Sequence, residues 1–291
     1  MDLVIIGSGP AGLSAAIYAK TFGIECIIFD NPDQLSQMTM AHEVNNYAGF
    51  EKIHGMDLLA KMKKQVKGMG IEIKDEAVTK IEKNKVFTDK NSYETKAILI
   101  ATGAKHRKAD IVGESKFLGR GVSYCYVCDG PMFAKKNVIV YGGGDSAFKA
   151  AIYFAEIGSK VTLIHRRDEF RAAADNVEKA KKLGVKFTLK HTIKEIKGEM
   201  LVNRVVLDDD SEIECNGVFI MIGEVPTVEL AKSAGVEVDQ GNFIIVDREQ
   251  KTNVLGIYAA GDVTNGVMKQ IATAVGDGAR SILAINKYVK G

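Results

Sequence analysis

The chain has 291 residues, enough for two ordinary domains and for a core that folds without staples. Lys plus Arg number 39 against 37 Asp plus Glu, a formal charge of +2 with no long basic block, which argues against a nucleic-acid surface. Four cysteines argue against a secreted disulfide framework, and no apolar run approaches the ~20 residues of a membrane span.

The opening MDLVIIGSGP carries no charged leader or cleavage pattern, so a soluble, cytoplasmic protein is the expectation. LVIIG (3–7) reads as a buried strand running into the glycine turn GSGPAG (7–12). A helix with AAIY (15–18) follows, then Gly23 and a second strand ending at Asp30. KMKKQVK (61–67) reads as the solvated face of a helix. AILIAT (97–102) is a third strand and ends in ATGA (101–104). SYCYVCDG (123–130) holds Cys125 and Cys128 three positions apart, with Asp129 directly after them. VIVYG (138–142) then enters GGGDSA (142–147), followed by AAIY (150–153), Gly158 and the strand VTLIH (161–165). IYAAG (257–261) is a late strand closed by Asp262. Cys26 and Cys215 sit in apolar, strand-like runs and read as small core residues. Continuous apolar strands alternating with helical patterns predict an α/β protein with mostly parallel sheets.

Aligning Gly7 with Gly142 brings AAIY onto AAIY, Gly23 onto Gly158 and the second strands together, so the chain carries one βαβ unit twice. A glycine turn between a strand and a helix allows close backbone approach to a pyrophosphate, and the helix N-terminus supplies amide donors. The copies differ where the second strand ends. Asp30 closes the first, where a carboxylate accepts hydrogen bonds from a ribose diol. His165 closes the second and is followed by Arg166, Arg167 and Arg171, which suit a 2′-phosphate that a carboxylate would repel. Charge runs are usually solvated turns, but this one occupies the acid position of a fingerprint. Copy one is expected to hold an unphosphorylated ribose and copy two NADPH. ATGA and the loop at Asp262 are expected to close over the cofactor of the first copy.

These features closely resemble the low-molecular-weight thioredoxin reductases, flavoproteins with two dinucleotide-binding domains. The likeness runs nearly end to end: GSGPAG, Gln34-Leu35, HEVNNYAGF (42–50), ATGA, C-x-x-CDG, GGGDSA, HRRDEFRA (165–172), AAGDV (259–263) and KQIATAVGDGARS (269–281). The resemblance implies two Rossmann-like domains, the second inserted into the first. Residues 1–111 and 224–291 would bind FAD, and 112–223 would bind NADPH and carry the cysteines. FAD contacts map to Gly7, Gly9, Gly12, Asp30, Gln34, Asn46, Thr102, Asp262 and Gln270. NADPH contacts map to Gly142, Gly144, Asp145, Ala147, His165, Arg166, Arg167 and Arg171. The chain departs from the family at Pro32-Asp33 (usually Gly-Gly), at Phe148-Lys149 (usually acidic), at EVPT (224–227) and in SQMTMAH (36–42). Some relatives have exchanged NADPH for ferredoxin or a deazaflavin; GGGDSA with the arginines argues against that here.

A C-x-x-C spacing serves metal binding, a loop staple or thiol chemistry. Zinc needs about four ligands, and no second C-x-x-C or paired His lies at a fitting spacing. A structural disulfide is disfavoured in a reducing compartment, and two unrelated buried thiols would leave unexplained Asp129 and the position just ahead of the VIVYG strand, so a redox-active dithiol is favoured. Asp129 would repel a thiolate while ionised, so it fits a proton-handling role. By resemblance Cys128 faces the flavin and Cys125 attacks the disulfide of a thioredoxin or thioredoxin-like partner. Tyr126-Val127 is bulkier than the pair usual in the family. Dithiol and nicotinamide site share the inserted domain, so alternation between domain orientations is expected, with hinges near 109–115 and 221–228. The resemblance also implies a homodimer; no metal, nucleic acid or membrane partner is expected. The competing readings are the same scaffold reduced by ferredoxin or deazaflavin, an NADPH-dependent ferredoxin or quinone-type reductase with idle cysteines, and a non-enzymatic flavin and dithiol redox sensor.

Overall fold

Leu3, Val4, Ile5 and Ile6 direct apolar side chains to both faces of one strand, so the sheet that contains them must be covered twice. The computed structural model describes residues 1–291 except Leu35, His42 and the side chain of Met40. Leu35 of the Gln34-Leu35 pair and His42 at the head of HEVNNYAGF therefore lie outside the described residues. The chain divides into two compact units, Met1–Lys105 with Val225–Gly291, and His106–Glu224.

In the first unit five parallel strands lie in the order Ile257–Ala259, Ala97–Ile100, Leu3–Ile6, Cys26–Asp30 and Glu72–Asp75. Helices Pro10–Thr21, Gly55–Gly68 and Ile271–Lys290 bury Leu13, Leu58, Val66 and Ile282 with Leu3, Ile5 and Leu99 from the sheet. On the other face Val4, Ile6, Phe29 and Ile98 pack with Ile81 and Val86 of a three-stranded antiparallel sheet and with Val228 and Ile244. Small residues in Pro10–Thr21 let the last helix approach closely. Ser14 Oγ donates to the Val275 carbonyl at 2.8 Å, and a Cβ on Gly278 would stand 2.1 Å from the Ala11 carbonyl oxygen.

The second unit repeats this plan. Its parallel strands run Lys186–Leu189, Lys160–His165, Asn137–Tyr141, Gly217–Ile220 and Val122–Ser123, with helix Asp145–Glu156 after the glycine turn. One core joins Val140, Phe148, Phe154, Leu163 and Phe219, and another joins Ile139, Ile164 and Val218 with Ile111, Phe117 and Val205. In both units the first strand lies between the second strand of its βαβ unit and a strand from later in the chain. That reversal opens a crevice at the carboxyl ends, where open α/β sheets bind ligands.

The chain passes between the units in the strands Ala104–His106 and Glu224–Pro226, which pair with each other. The first passage falls at Lys105–His106, upstream of the segment 109–115 expected as a hinge. The reason is local. Buried Glu114 accepts the Ala109 and Ile111 amides at 3.2 and 3.0 Å, and Ile111 is part of the second unit's core, so 109–115 is fastened to that unit. The second passage falls within 221–228. Among the described residues no helix is long and apolar enough to cross a membrane.

Candidate active site

In the first unit, glycine is required at two points of the turn. Gly7 has φ +111°, and a Cβ there would lie 2.3 Å from the Ala101 carbonyl oxygen; a Cβ on Gly12 would lie 2.0 Å from that of Gly7. Gly9 caps the following helix with no side-chain hydrogen bond and Pro10 in the first turn, so the initial amides are left for a ligand. The nearest atom to a Cβ on Gly9 would be Ser36 Oγ at 3.9 Å, which leaves room for a group to approach.

Asp30 ends the second strand and pairs with Lys63 Nζ at 2.7 Å. Of KMKKQVK, Lys61, Lys64 and Lys67 are exposed, whereas Lys63 is turned to this carboxylate. Gln34 donates to the Thr102 carbonyl at 3.3 Å and to Thr227 Oγ1 at 3.0 Å, while Thr102 Oγ1 donates to the Thr227 carbonyl at 2.7 Å. Asn46 Nδ2 donates to Gln270 Oε1 at 3.1 Å. Burial pushes the Asp262 carboxyl up to about 6, against the pull of Lys269. Residues far apart in sequence thus meet in pairs around this crevice.

The second unit builds the same turn. Gly142 has φ +153°, and a Cβ there would stand 2.2 Å from the Met221 carbonyl oxygen, as Gly7 does against Ala101; buried Ala147 packs beneath it. Gly144 caps its helix with no side-chain hydrogen bond, and a Cβ there would meet nothing within 4 Å. Asp145 turns away from that end, accepting Ala173 N–H at 2.9 Å and Asn176 Nδ2 at 3.0 Å, and these hydrogen bonds hold its carboxyl below the usual range.

His165 lies directly on Gly143, since a Cβ there would fall 2.3 Å from the imidazole. Burial lowers its pKa and the three nearby arginines act in the same direction, against the hydrogen bond with the Glu169 carbonyl; the net shift favours the neutral ring. Arg166, Arg167 and Arg171 are exposed and in no ion pair among the described residues, and Asp168 is taken by Lys190 at 2.7 Å. The Arg171 amide donates to the Gly143 carbonyl at 3.0 Å, which ties the arginine loop to the glycine turn. Phe148, where the family is usually acidic, is wholly buried against Phe170 (4.8 Å) and Phe187 (6.0 Å) and props the loop from inside.

Cys125 and Cys128 form a disulfide with Cα atoms 5.3 Å apart. Cys125 caps the short helix Tyr126–Asp129, and its Sγ accepts the Cys128 amide at 3.1 Å. Tyr126 packs on Tyr153 with ring centroids 5.5 Å apart, and Gly130 is pressed to the same ring, 2.6 Å from where its Cβ would stand. The bulky Tyr126 is therefore an anchor to the nucleotide-cradle helix, and Val127 beside it is 36% exposed. Asp129 Oδ2 accepts from Ser123 Oγ at 2.6 Å. The other two cysteines are free thiols that burial pushes up to about 11 (Cys26) and about 12 (Cys215), and therefore remain protonated at neutral pH.

A disulfide beside an acid, in a unit with its own nucleotide-type cradle, has clear counterparts. The pyridine nucleotide-disulphide oxidoreductase family matches residues 1–278. A thioredoxin reductase of Listeria innocua serovar 6a is 39% identical, covering 99% of this chain and 94% of that protein. The chain belongs to the thioredoxin reductase branch of this family. The solved thioredoxin reductase of Streptococcus pyogenes MGAS5005 is 37% identical over 99% of this chain and 98% of its own, with TM-score 0.92. A ferredoxin-flavin thioredoxin reductase from Clostridium acetobutylicum is also 37% identical over 99% and 98%, with TM-score 0.54. Flavin and pyridine-nucleotide use come with the family, and both cradles fit such groups through their uncapped helix ends and close glycine turns.

Three further residues join the site only in the folded chain: Lys63 of the lysine-rich helix holds Asp30, Thr227 of EVPT meets Gln34 and Thr102, and Ser123 meets Asp129. Only Ser123 carried a local signal, a hydroxyl two residues before a reactive Cys.

Proposed function

We propose that the chain is an NADPH-dependent thioredoxin-disulfide reductase, with FAD on the unit containing Gly7 and NADPH on the unit containing Gly142. The observation that carries this reading is the Cys125–Cys128 disulfide beside Asp129, in the unit whose second strand is followed by Arg166, Arg167 and Arg171, which make no ion pair among the described residues. Arg166, Arg167 and Arg171 bind the 2′-phosphate, and the amides at Gly144 receive the pyrophosphate. Asp30, held by Lys63, accepts from the adenosine ribose of FAD, while Gln34, Asn46, Thr102, Asp262 and Gln270 take the rest of that cofactor. Asp145 and His165 serve the nucleotide indirectly, by fastening the arginine loop and by flooring the glycine turn. Bound flavin would supply the two-electron relay between nicotinamide and disulfide.

In the reduced protein the Cys125 thiolate attacks a disulfide sulfur of a thioredoxin-like partner, forming a mixed disulfide and releasing one partner thiolate. The Cys128 thiolate then attacks Cys125 Sγ, which restores the Cys125–Cys128 bond and releases the second partner thiolate. Asp129 gives that departing thiolate its proton. Dithiol and NADPH cradle belong to one unit and the FAD cradle to the other, so the two take turns at the flavin by movement about the strands Ala104–His106 and Glu224–Pro226. A homodimer in the cytoplasm completes the reading, on family grounds.

Anaerobic mixing of FAD-loaded protein with NADPH, NADH, reduced ferredoxin and reduced deazaflavin tests the donor, with flavin bleaching as the readout. Bleaching by NADPH ahead of NADH is the expected result. Because one relative is a ferredoxin-flavin enzyme, bleaching by reduced ferredoxin alone would move the assignment to that donor. Turnover with thioredoxin separates the enzyme from a redox sensor.

A further inference from the structure

Ser123 sits on the two-residue strand Val122–Ser123 and is 4% exposed. Its oxygen accepts the Cys125 amide at 3.0 Å and reaches Asp129 Oδ2 at 2.6 Å and the Cys125 carbonyl at 3.3 Å. A hydroxyl has one hydrogen and two lone pairs, and the shorter contact, to a carboxylate, takes the hydrogen. The sheet holds the backbone of Ser123, the amide of the reactive Cys holds its oxygen, and its hydrogen points at the acid.

We propose that Ser123 is a positioning residue that holds the Asp129 carboxyl at the dithiol turn and sets its affinity for a proton. The inference rests on the reading of Asp129 as the proton donor of the exchange. In that step the S–S bond between Cys125 and the partner breaks, its electron pair leaves on the partner sulfur, and the proton moves from Asp129 to that sulfur. The resulting carboxylate is the form to which Ser123 donates. When Asp129 is protonated, the hydroxyl turns and accepts from the acid through its second lone pair, keeping its bond to the Cys125 amide throughout. Donation to the anion favours the ionised form, so Ser123 keeps the Asp129 pKa lower than the turn alone would. Among the described residues of the same turn, the titratable groups flanking Asp129 are the two cysteines, joined to each other, and Tyr126, whose phenol burial holds above its usual value.

The test is a carboxyl titration of oxidised, FAD-loaded protein labelled with 13C-aspartate, the Asp129 resonance being assigned by its loss in Asp129→Asn. In Ser123→Ala the titration midpoint rises by about one pH unit, and Ser123→Thr, which keeps the hydroxyl, returns it near the native value. The alkaline limb of kcat/KM for thioredoxin, where Asp129 loses the proton it must donate, moves up with it. An unchanged or lowered midpoint in Ser123→Ala overturns the proposal, even if the variant melts earlier, because a purely structural serine would alter stability alone. Should Ser123→Ala fail to accumulate, Ser123→Gly removes the same hydroxyl and must raise the midpoint likewise. The titration uses neither NADPH nor thioredoxin, so it can fail or succeed independently of the functional assignment.

Discussion

At the end of its second strand the first unit carries Asp30 paired with Lys63, and the second carries His165 tucked onto Gly143 and followed by three exposed arginines. The order of four of the five strands, the glycine turn and the uncapped helix are otherwise the same in both. On the proposed reading, one cradle used twice takes two dinucleotides, its generic part receiving the pyrophosphate and a few side chains at one strand end reading the ribose. The second unit differs in another way. Its fifth strand, Val122–Ser123, leads directly into the cysteine turn, so the nucleotide-type sheet also carries the disulfide.

The largest expected effect tests that added function. Cys128→Ser should lower thioredoxin turnover on the order of 10³-fold or more while NADPH-to-dye transfer continues; if dye transfer falls equally, the disulfide does not lie downstream of the flavin. Next come the glycines. Gly7→Ala and Gly142→Ala each place a methyl group against a carbonyl oxygen at positive φ, a cost of about 2–4 kcal/mol. Gly7→Ala should weaken FAD retention and Gly142→Ala NADPH binding, each measured by titration, and a crossed pattern would break the assignment of the units.

Replacing Arg166 and Arg167 together by Ala should raise KM for NADPH about 10–100-fold and leave KM for NADH nearly unchanged. The smallest effect concerns Asp262, whose folded pKa of about 6 lies above its ordinary value of 3.8. Its protonated form favours the folded state, so this contribution is present below about pH 4 and is lost as the pH rises through about 6, at most about 2–3 kcal/mol. Thermal melts of FAD-free protein should show that fall with rising pH, and Asp262→Asn should flatten it.

The fold was legible because its signals are local. An apolar run, a glycine turn, a helix and a second apolar run lie contiguous in sequence, twice, and each strand stops where its glycine begins, at Ile6 and Tyr141. Much of what finishes the site depends on distant partners. Asp30 meets Lys63 across a helix, and Gln34 and Thr102 meet at Thr227, with no periodicity to announce either encounter. His165 could be placed at the acid position from sequence, but not turned onto Gly143, since that follows from side-chain direction in the folded loop. Nor does sequence show that 109–115 is fastened to the second unit, since that follows from Glu114 accepting the Ala109 and Ile111 amides in the folded chain.

The central claim is that NADPH electrons reach Cys125 and Cys128. Anaerobic addition of excess NADPH to FAD-loaded protein, followed by alkylation and peptide mapping, tests it most directly. The account predicts flavin bleaching together with new alkylation at Cys125 and Cys128 but not at Cys26 or Cys215. Bleaching with the disulfide intact, or no bleaching by NADPH, would contradict it.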